Sequence, residues 1–436
     1  MRSSAMRDLM AITARPEVIS LAGGLPDTST FPPSSFAAQM TKIAQESAAQ
    51  ALQYGPTEGF EETKDCILQV MGAEGMLPDP DDVIVTTGGQ QAIDLVCKTL
   101  IYPGDVVICE APTYPGAVPV FCSYQAEVIQ VECDDDGLRV DEVERVLDRL
   151  AGEGRKPKFV YSVPTFQNPA GVTLSFDRRR HLVELARRHE LLIAEDNPYG
   201  LLRYEGDPLP PLYQLEGGDY VIYLGTFSKI LSPGIRLGWA VAPPPVMDKI
   251  VLGKQASDLC TSTLTQYFVR EYFSEGRWRD YVDSLVELYR GRRDTMLAAL
   301  AEHFPAQAHW THPAGGLFIW ATLPDFIDTG DLLAKALRAN VAFVPGQAAY
   351  LDGRGASSMR LNFSGSSDEE IEEGVRRIGE VVTEQVKLFE TLTHGPAEAS
   401  LPDTEPASHP RPGARAADAG DESAEVVPFK RRATGR

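Results

Sequence analysis

The sequence predicts an α/β fold, with a large domain on a mostly parallel seven-stranded sheet flanked by helices and a smaller α+β domain beside it. Three observations carry that prediction. Short β-rich runs alternate with helical patterns from about residue 60 onward. Several of those runs are continuously apolar, as strands covered on both faces are. The chain has 436 residues, enough for two or three domains and a sizeable core.

The seven runs are "VIVTTG" (83–88), "VVICEAPTY" (106–114), "AEVIQVEC" (126–133), "FVYSVPT" (159–165), "LLIAEDNPYG" (191–200), "VIYLGTFSK" (221–229) and "LGWAVAP" (237–243). Amphipathic segments such as "QQAIDLVCKTLI" and "DRRRHLVELARRHE" supply the crossovers that parallel neighbours need. Only a turn containing Lys229 and "SPGIR" separates the sixth run from the seventh. That gap is too short for a crossover helix, so the seventh strand is expected antiparallel to the sixth. A long helical pattern from about 256 to 302 reads as a bridge to the second domain. There "GGLFIWATL", "VAFVPG" and "SSMRLNFS" read as strands of a smaller sheet, and His309 and His312, beside Pro313, as a loop. A final helix follows, with Ser367 and Glu370 spaced as a capping box. The turn-rich opening arm, "VISLAGGLPDTSTFPP", is expected to pack with the small domain. The expected boundaries are 1–45 for the arm and part of the small domain, 46–280 for the large domain, 281–394 for the small domain and 395–436 for a disordered tail poor in large apolar residues.

Sixty-two acidic residues against 41 basic ones give a formal charge of -21. That balance argues against nucleic acid or an anionic membrane as the main partner. No run approaches the roughly 18 apolar residues of a membrane span, and the first residues lack a sustained apolar stretch. A cytoplasmic protein is expected. The six cysteines show no CxxC spacing and read as reduced core thiols, and the seven histidines form no HExxH, so no metal site is expected.

In an open α/β sheet, ligands bind beyond the carboxyl ends of the strands, and the notable residues collect there. After the first strand, "TTGGQQAIDL" is a Gly-rich turn feeding a helix, whose free amides and dipole favour a phosphate, although Gly-Gly before a helix is common. After the second, Tyr114 in "APTYPG" either packs or stacks on a flat ring. After the fourth, Asn168 in "TFQNPAG" is either a turn former or an amide donor to a phenolic oxygen. After the fifth, Asp196 in "AEDNPYG" either caps a turn or pairs with a protonated pyridine nitrogen, since a carboxylate ending an apolar strand is costly unpaired. Tyr199 is within reach of the same ring. After the sixth comes "GTFSKILSPGIRLGWAVAP" (225–243), where Thr226, Ser228 and Arg236 can all hold phosphate oxygens around Lys229. Burial and Arg236 would both lower the Lys229 pKa and free its amine. Arg360 in "SSMRLNFSGSS" is either a surface ion-pair residue or a clamp for the α-carboxylate of an amino acid. One amine, one phosphate site and one carboxylate are what pyridoxal phosphate requires.

Taken in order, "ISLAGGLPDTSTFP", "LQYGPTEGFEETK", "TTGGQQAID", "EAPTYPG", "PTFQNPAGVTLS", "EDNPYG", "TFSKILSPGIRLGW" and "MRLNFS" resemble the fold type I pyridoxal-phosphate aminotransferases of class I/II. The similarity is to the branch of kynurenine, 2-aminoadipate and related broad-specificity aminotransferases, over about residues 17 to 390. The resemblance implies pyridoxal 5′-phosphate as cofactor and Lys229 as the catalytic lysine that forms its internal aldimine. It places Asp196 on the ring nitrogen, Asn168 and Tyr199 on the ring hydroxyl, and Tyr114 against the ring. Gly89, Gln90, Thr226, Ser228 and Arg236 would surround the phosphate. Tyr54 would reach the phosphate of a neighbouring subunit, which implies a homodimer with shared sites. Gly24, Asn168 and Arg360 would meet the substrate. The implied reaction moves an amino group from an aromatic, aliphatic or 2-aminoadipate-like L-amino acid to a 2-oxo acid such as 2-oxoglutarate. Gly89 departs from the pattern, because several relatives have a hydroxyl residue there. The same cofactor cage also serves β-lyases, decarboxylases and amino-acid cyclases. A regulator carrying an aminotransferase-like domain would need a basic winged-helix module, and only a short arm precedes the first strand.

Overall fold

The computed structural model describes residues 15–393; the expected tail, 395–436, lies outside the described residues. A short strand, β1 (Ile19–Ser20), precedes the strands of the large sheet. These are β2 (Val83–Thr86), β3 (Val106–Ala111), β4 (Glu127–Asp134), β5 (Gly137–Leu138), β6 (Phe159–Ser162), β7 (Leu192–Asp196), β8 (Val221–Thr226) and β9 (Gly238–Val241). Every residue of β2, β3, β6, β8 and β9 is buried, which is why their sequences are apolar without alternation. Ile108, Val160, Ile193 and Val221 meet the helices Val140–Gly152 and Phe176–His189, while Val107, Phe159, Ala194 and Ile222 belong to the core on the opposite face.

The strand order is β2-β9-β8-β7-β6-β3-β4-β5. From β4 through β3, β6, β7 and β8 all pairings are parallel, and β9 is antiparallel to both β8 and β2. The seven expected strands are present, with the seventh reversed as its short connection requires. An eighth, β5, was not expected. The chain folds back at Gly137, whose φ of 85° suits glycine, and only two residues then pair with the end of β4. So short a strand has no period to read. After β3 the chain moves to β4 on one side and then returns to β6 on the other, so the order reverses between β3 and β6. That reversal opens a crevice at the carboxyl ends of the strands.

The smaller sheet has the order β10 (His309–Trp310), β11 (Phe318–Thr322), β14 (Ser358–Asn362) and β13 (Val344–Pro345), all antiparallel. Between β11 and β13 lies β12 (Val341–Ala342), which pairs in parallel with β1. The single strand expected from "VAFVPG" is therefore two, in different sheets, and the opening arm joins one of them. His309 belongs to a strand rather than a loop, because its backbone completes the edge of β11. The helical pattern at 256–302 is also divided, into Thr263–Ser274 and Trp278–His303, with Gly276 at φ 71° between them.

Cys66, Cys97 and Cys109 are buried as core thiols, but Cys122, at the end of the short helix Val118–Ser123, is exposed. Among the described residues no helix is long and apolar enough to cross a membrane. The helix Asp368–Thr393 begins with the expected reciprocal cap: the Ser367 N–H donates to Glu370 Oε2 at 2.9 Å and the Glu370 N–H to Ser367 Oγ at 3.3 Å. Ser367→Ala should cost about 1 kcal/mol of stability, read as a lower urea midpoint with an unchanged slope.

Candidate active site

A cavity of about 510 Å³ opens at the carboxyl end of the large sheet. One end of it starts where β2 stops. Gly88 has φ 79°, and a Cβ there would run into the Arg236 guanidinium, so only glycine lets the chain turn into the helix Gly89–Leu100 at this distance from the arginine. No side chain caps that helix, which leaves first-turn N–H groups and the positive end of the helix dipole for an anion. Across from it, Thr226 Oγ1 lies 2.9 Å from Ser228 Oγ, and both residues are nearly buried. Gly89, Gln90, Thr226, Ser228 and Arg236 all line the cavity.

Tyr114 stands on the loop after β3, with its hydroxyl 3.4 Å from Gln90 Oε1, while Gln90 Nε2 donates to Gly116 O at 2.8 Å. Asn168, on the loop after β6, is a junction. Its Nδ2 donates to the Tyr199 hydroxyl at 3.2 Å, and its Oδ1 accepts from Arg360 Nη1 at 3.0 Å. Arg360 also donates through Nη2 to Ala22 O at 2.9 Å and lies over the Phe318 ring, 4.4 Å from its centroid. Its Nε is buried with no hydrogen-bond partner among the described residues. Gly24 faces both, since a Cβ there would come 3.3 Å from Phe318 and 3.9 Å from Arg360 Nη2. The backbone carbonyl of Gly24 accepts from Lys229 Nζ at 2.6 Å.

Asp196 ends β7 with its Oδ2 accepting from the Tyr161 hydroxyl at 2.6 Å. Burial pushes Asp196 up to about 6 against that hydrogen bond and the charge of Lys229. Burial, then the charges of Arg360 and Arg236, pull Lys229 down to about 8, with Asp196 opposing. Burial also pulls Arg360 down to about 10 and holds the Tyr199 hydroxyl well above its ordinary value. The site thus combines an amine with a lowered affinity for its proton, a carboxylate anchored by Tyr161, and two arginines, with Asp196 the one carboxylate among the described residues that line the cavity.

All the residues singled out in the sequence line this cavity except Tyr54, which is 77% exposed and lies outside it. Sequence reasoning missed Tyr161, which anchors Asp196, and Phe318, which floors Arg360. It also missed Glu110. This buried carboxylate accepts from Ser162 Oγ at 2.5 Å, Val163 N at 3.0 Å and Gln167 Nε2 at 2.9 Å, and so ties down the loop that carries Asn168. An acidic residue inside the apolar run "VVICEAPTY" was the available signal for it.

A fold of this kind with an amine, a buried anion and an anion-binding helix start in one cavity defines an enzyme that works through a phosphorylated carbonyl cofactor. Comparison with known proteins narrows the class. A profile of aminotransferase class I and II matches residues 16–378. The aromatic-amino-acid aminotransferase 1 of Thermococcus litoralis is 44% identical over 89% of this chain and 93% of its own length. A kynurenine aminotransferase from Pyrococcus horikoshii, solved in complex with PMP, superposes with a TM-score of 0.85 at 42% identity over 88% of this chain and 96% of that one. The α-aminoadipate aminotransferase of Thermus thermophilus, complexed with N-(5′-phosphopyridoxyl)-L-leucine, gives a TM-score of 0.83 at 36% identity over 89% and 96%. The chain belongs to the aminotransferase class I and II family, and its cofactor is pyridoxal 5′-phosphate.

The residues present fit that cofactor: the uncapped helix start and hydroxyls suit its phosphate, Asp196 its ring nitrogen, and Lys229 its carbonyl. The unusual Gly89 has room for a side chain, since a Cβ there would meet only Thr226 Cβ at 3.8 Å. Gly89→Ser should therefore add a hydroxyl donor at the phosphate end and tighten pyridoxal phosphate binding by a few-fold, read by absorbance titration of the cofactor-free chain. Cations depress an amine's pKa. The rate of cofactor uptake by the cofactor-free chain should accordingly rise as pH passes through about 8, and Arg360→Gln should move that midpoint upward.

Proposed function

We propose that this protein moves the amino group of aromatic, aliphatic or 2-aminoadipate-like L-amino acids to a 2-oxo acid such as 2-oxoglutarate. The observation that carries this reading is Arg360, a buried guanidinium whose hydrogen bonds among the described residues go to the amide of Asn168 and the carbonyl of Ala22. A cation held that way, in a cavity shared with a lysine whose affinity for its proton is lowered, suits the α-carboxylate of an amino acid. The apolar surroundings of Leu25, Ile93, Pro115 and Pro119 leave room for a range of side chains.

In this reading Arg360 holds the substrate carboxylate and thereby sets the direction of the Cα–H bond. Lys229 accepts the Cα proton through its Nζ and returns it on the other side of the reaction. The bound cofactor supplies an electron sink for the bond that breaks at Cα. Asp196, kept anionic with help from Tyr161, would hold the ring nitrogen in its protonated form. Asn168 and Tyr199 would hold the ring hydroxyl, Tyr114 would lie against the ring, and Gly89, Gln90, Thr226, Ser228 and Arg236 would hold the phosphate. Gly24 keeps the substrate side open, because a larger residue would crowd Arg360 and Phe318.

The protein is further proposed to act as a homodimer in the cytoplasm. Leu52 and Tyr54 are 78% and 77% exposed on one segment, which suits a surface covered by a second copy, with Tyr54 serving the neighbour's phosphate. The cysteines are all unpaired, as in a reducing compartment.

A panel of amino donors with 2-oxoglutarate, read by the 2-oxo acid formed, tests the reaction; absence of any 2-oxo acid from every donor would overturn it. Lys229→Ala should abolish turnover and the visible absorbance of the bound cofactor while keeping the wild-type circular dichroism. Normal turnover by that variant would contradict the role given to Lys229.

A further inference from the structure

Behind the phosphate end of the site lies a polar cluster that none of these roles uses. Lys254, in the helix Pro244–Gln255, is completely buried, and its Nζ lies 2.8 and 3.0 Å from the two carboxylate oxygens of Asp258. Asp258 Oδ2 also accepts from the Thr87 hydroxyl at 2.8 Å and from Gln91 Nε2 at 2.6 Å. Gln91 completes the circuit, with its Oε1 accepting from the Thr87 N–H at 2.7 Å. Thr87 O accepts from Arg236 Nη2 at 3.4 Å. Every polar group of Thr87 is thus engaged, and Thr87 leads directly into Gly88 and Gly89, the start of the uncapped helix. Thr87 and Asp258 themselves do not line the cavity, whereas Gly89 and Arg236 do.

We propose that the Asp258–Lys254 pair is a positioning device that fixes the Thr87–Gly89 turn for phosphate binding without touching the cofactor. The inference rests on the reading of this turn as the phosphate site. Its physical logic has two parts. A Gly-Gly turn is the most freely moving backbone available, and its N–H groups bind an anion well only if their direction is set beforehand. Asp258 sets it by holding Thr87 and Gln91 at once, one residue on each side of the Gly-Gly step and helix start. A lone carboxylate behind an anion site would, however, repel the phosphate. Lys254, buried and in contact with both oxygens, cancels that charge, and among the described residues Asp258 is its one ion-pair partner. The cluster therefore supplies rigidity without negative potential. Burial outweighs the Asp258 contact and leaves Lys254 below its ordinary value, while hydrogen bonds from Lys254, Gln91 and Thr87 hold Asp258 low against its own burial; the pairing itself is read from the two short contacts.

The test compares two ligands that differ only in the phosphate. The cofactor-free, full-length chain is titrated with pyridoxal 5′-phosphate and with pyridoxal, and the ratio of the two Kd values is the readout. Asp258→Ala should weaken pyridoxal phosphate by about tenfold, the scale of a lost hydrogen bond to a charged group, and leave pyridoxal unchanged, so that the ratio collapses by the same factor. Thr87→Val, which leaves the ion pair in place and removes only the hydroxyl it holds, should lower the ratio by a few-fold and serves if the first variant does not fold. An unchanged ratio in both variants, or an equal loss for both ligands, would overturn the inference. A wild-type chain that binds both ligands equally would instead refute the reading of the turn as a phosphate site.

Discussion

Arg360 is a guanidinium with 4% of its surface exposed, hydrogen-bonded to two neutral oxygens and seated on an aromatic face. Burying a cation without a carboxylate partner is expensive, and much of the surrounding structure serves to make that tolerable. Asn168 gives it an amide oxygen, and Asn168 is held in turn by a loop fastened to the buried Glu110 through Gln167. Ala22 gives it a carbonyl from the opening arm, which is itself anchored by the pairing of β1 with β12. Phe318 gives it a π-face from the neighbouring strand of its own sheet. The uncompensated charge then acts at a distance on Lys229 and lowers its affinity for a proton. One unpaired cation thus draws at once on the opening arm, the Asn168 loop and the smaller sheet, and adds to burial in loosening the proton of the amine.

The same logic explains which parts of the molecule could be read from the chain alone. The long strands were visible because both faces of the sheet are covered, and burial imposes apolar residues without interruption. The two-residue strands β5, β10, β12 and β13 were not visible as separate elements, since a pair of residues has no periodicity and their pairing is decided by partners distant in sequence. The break at Gly276 was hidden inside a pattern apolar on both sides of it. At the site, the residues on turns after strands were legible because amines, carboxylates and Gly-rich turns are unusual there. Their supports were not. Tyr161 reads as one more apolar residue of β6 until register places it opposite Ala194, next to Asp196 on β7, and Phe318 gains meaning only from Arg360 across the strand pair. Function here was written in residue types, and the means of holding it in cross-strand geometry.

Close backbone approach is the second constraint, at the end of the cavity where β2 stops. A Cβ on Gly238 would lie 2.8 Å from Gly225 O, 2.8 Å from Gly88 C and 2.9 Å from Gly89 N. Three segments, from β2, β8 and β9, therefore meet with nothing but main chain between them. That contact brings the helix start, the hydroxyls of Thr226 and Ser228 and the guanidinium of Arg236 to one point, at the cost of excluding every residue larger than glycine.

The reversal of β9 has a further consequence. Because β9 returns antiparallel beside β8, the short segment between them never leaves the carboxyl end of the sheet, and it carries both Lys229 and Arg236. A crossover helix would have carried the arginine to the far side of the molecule. Amine and guanidinium are instead two points on one short tether, and their local concentration relative to each other is set by covalent structure before any ligand arrives. The segment is thus a molecular ruler between amine and guanidinium, which any insertion between the two residues would miscalibrate.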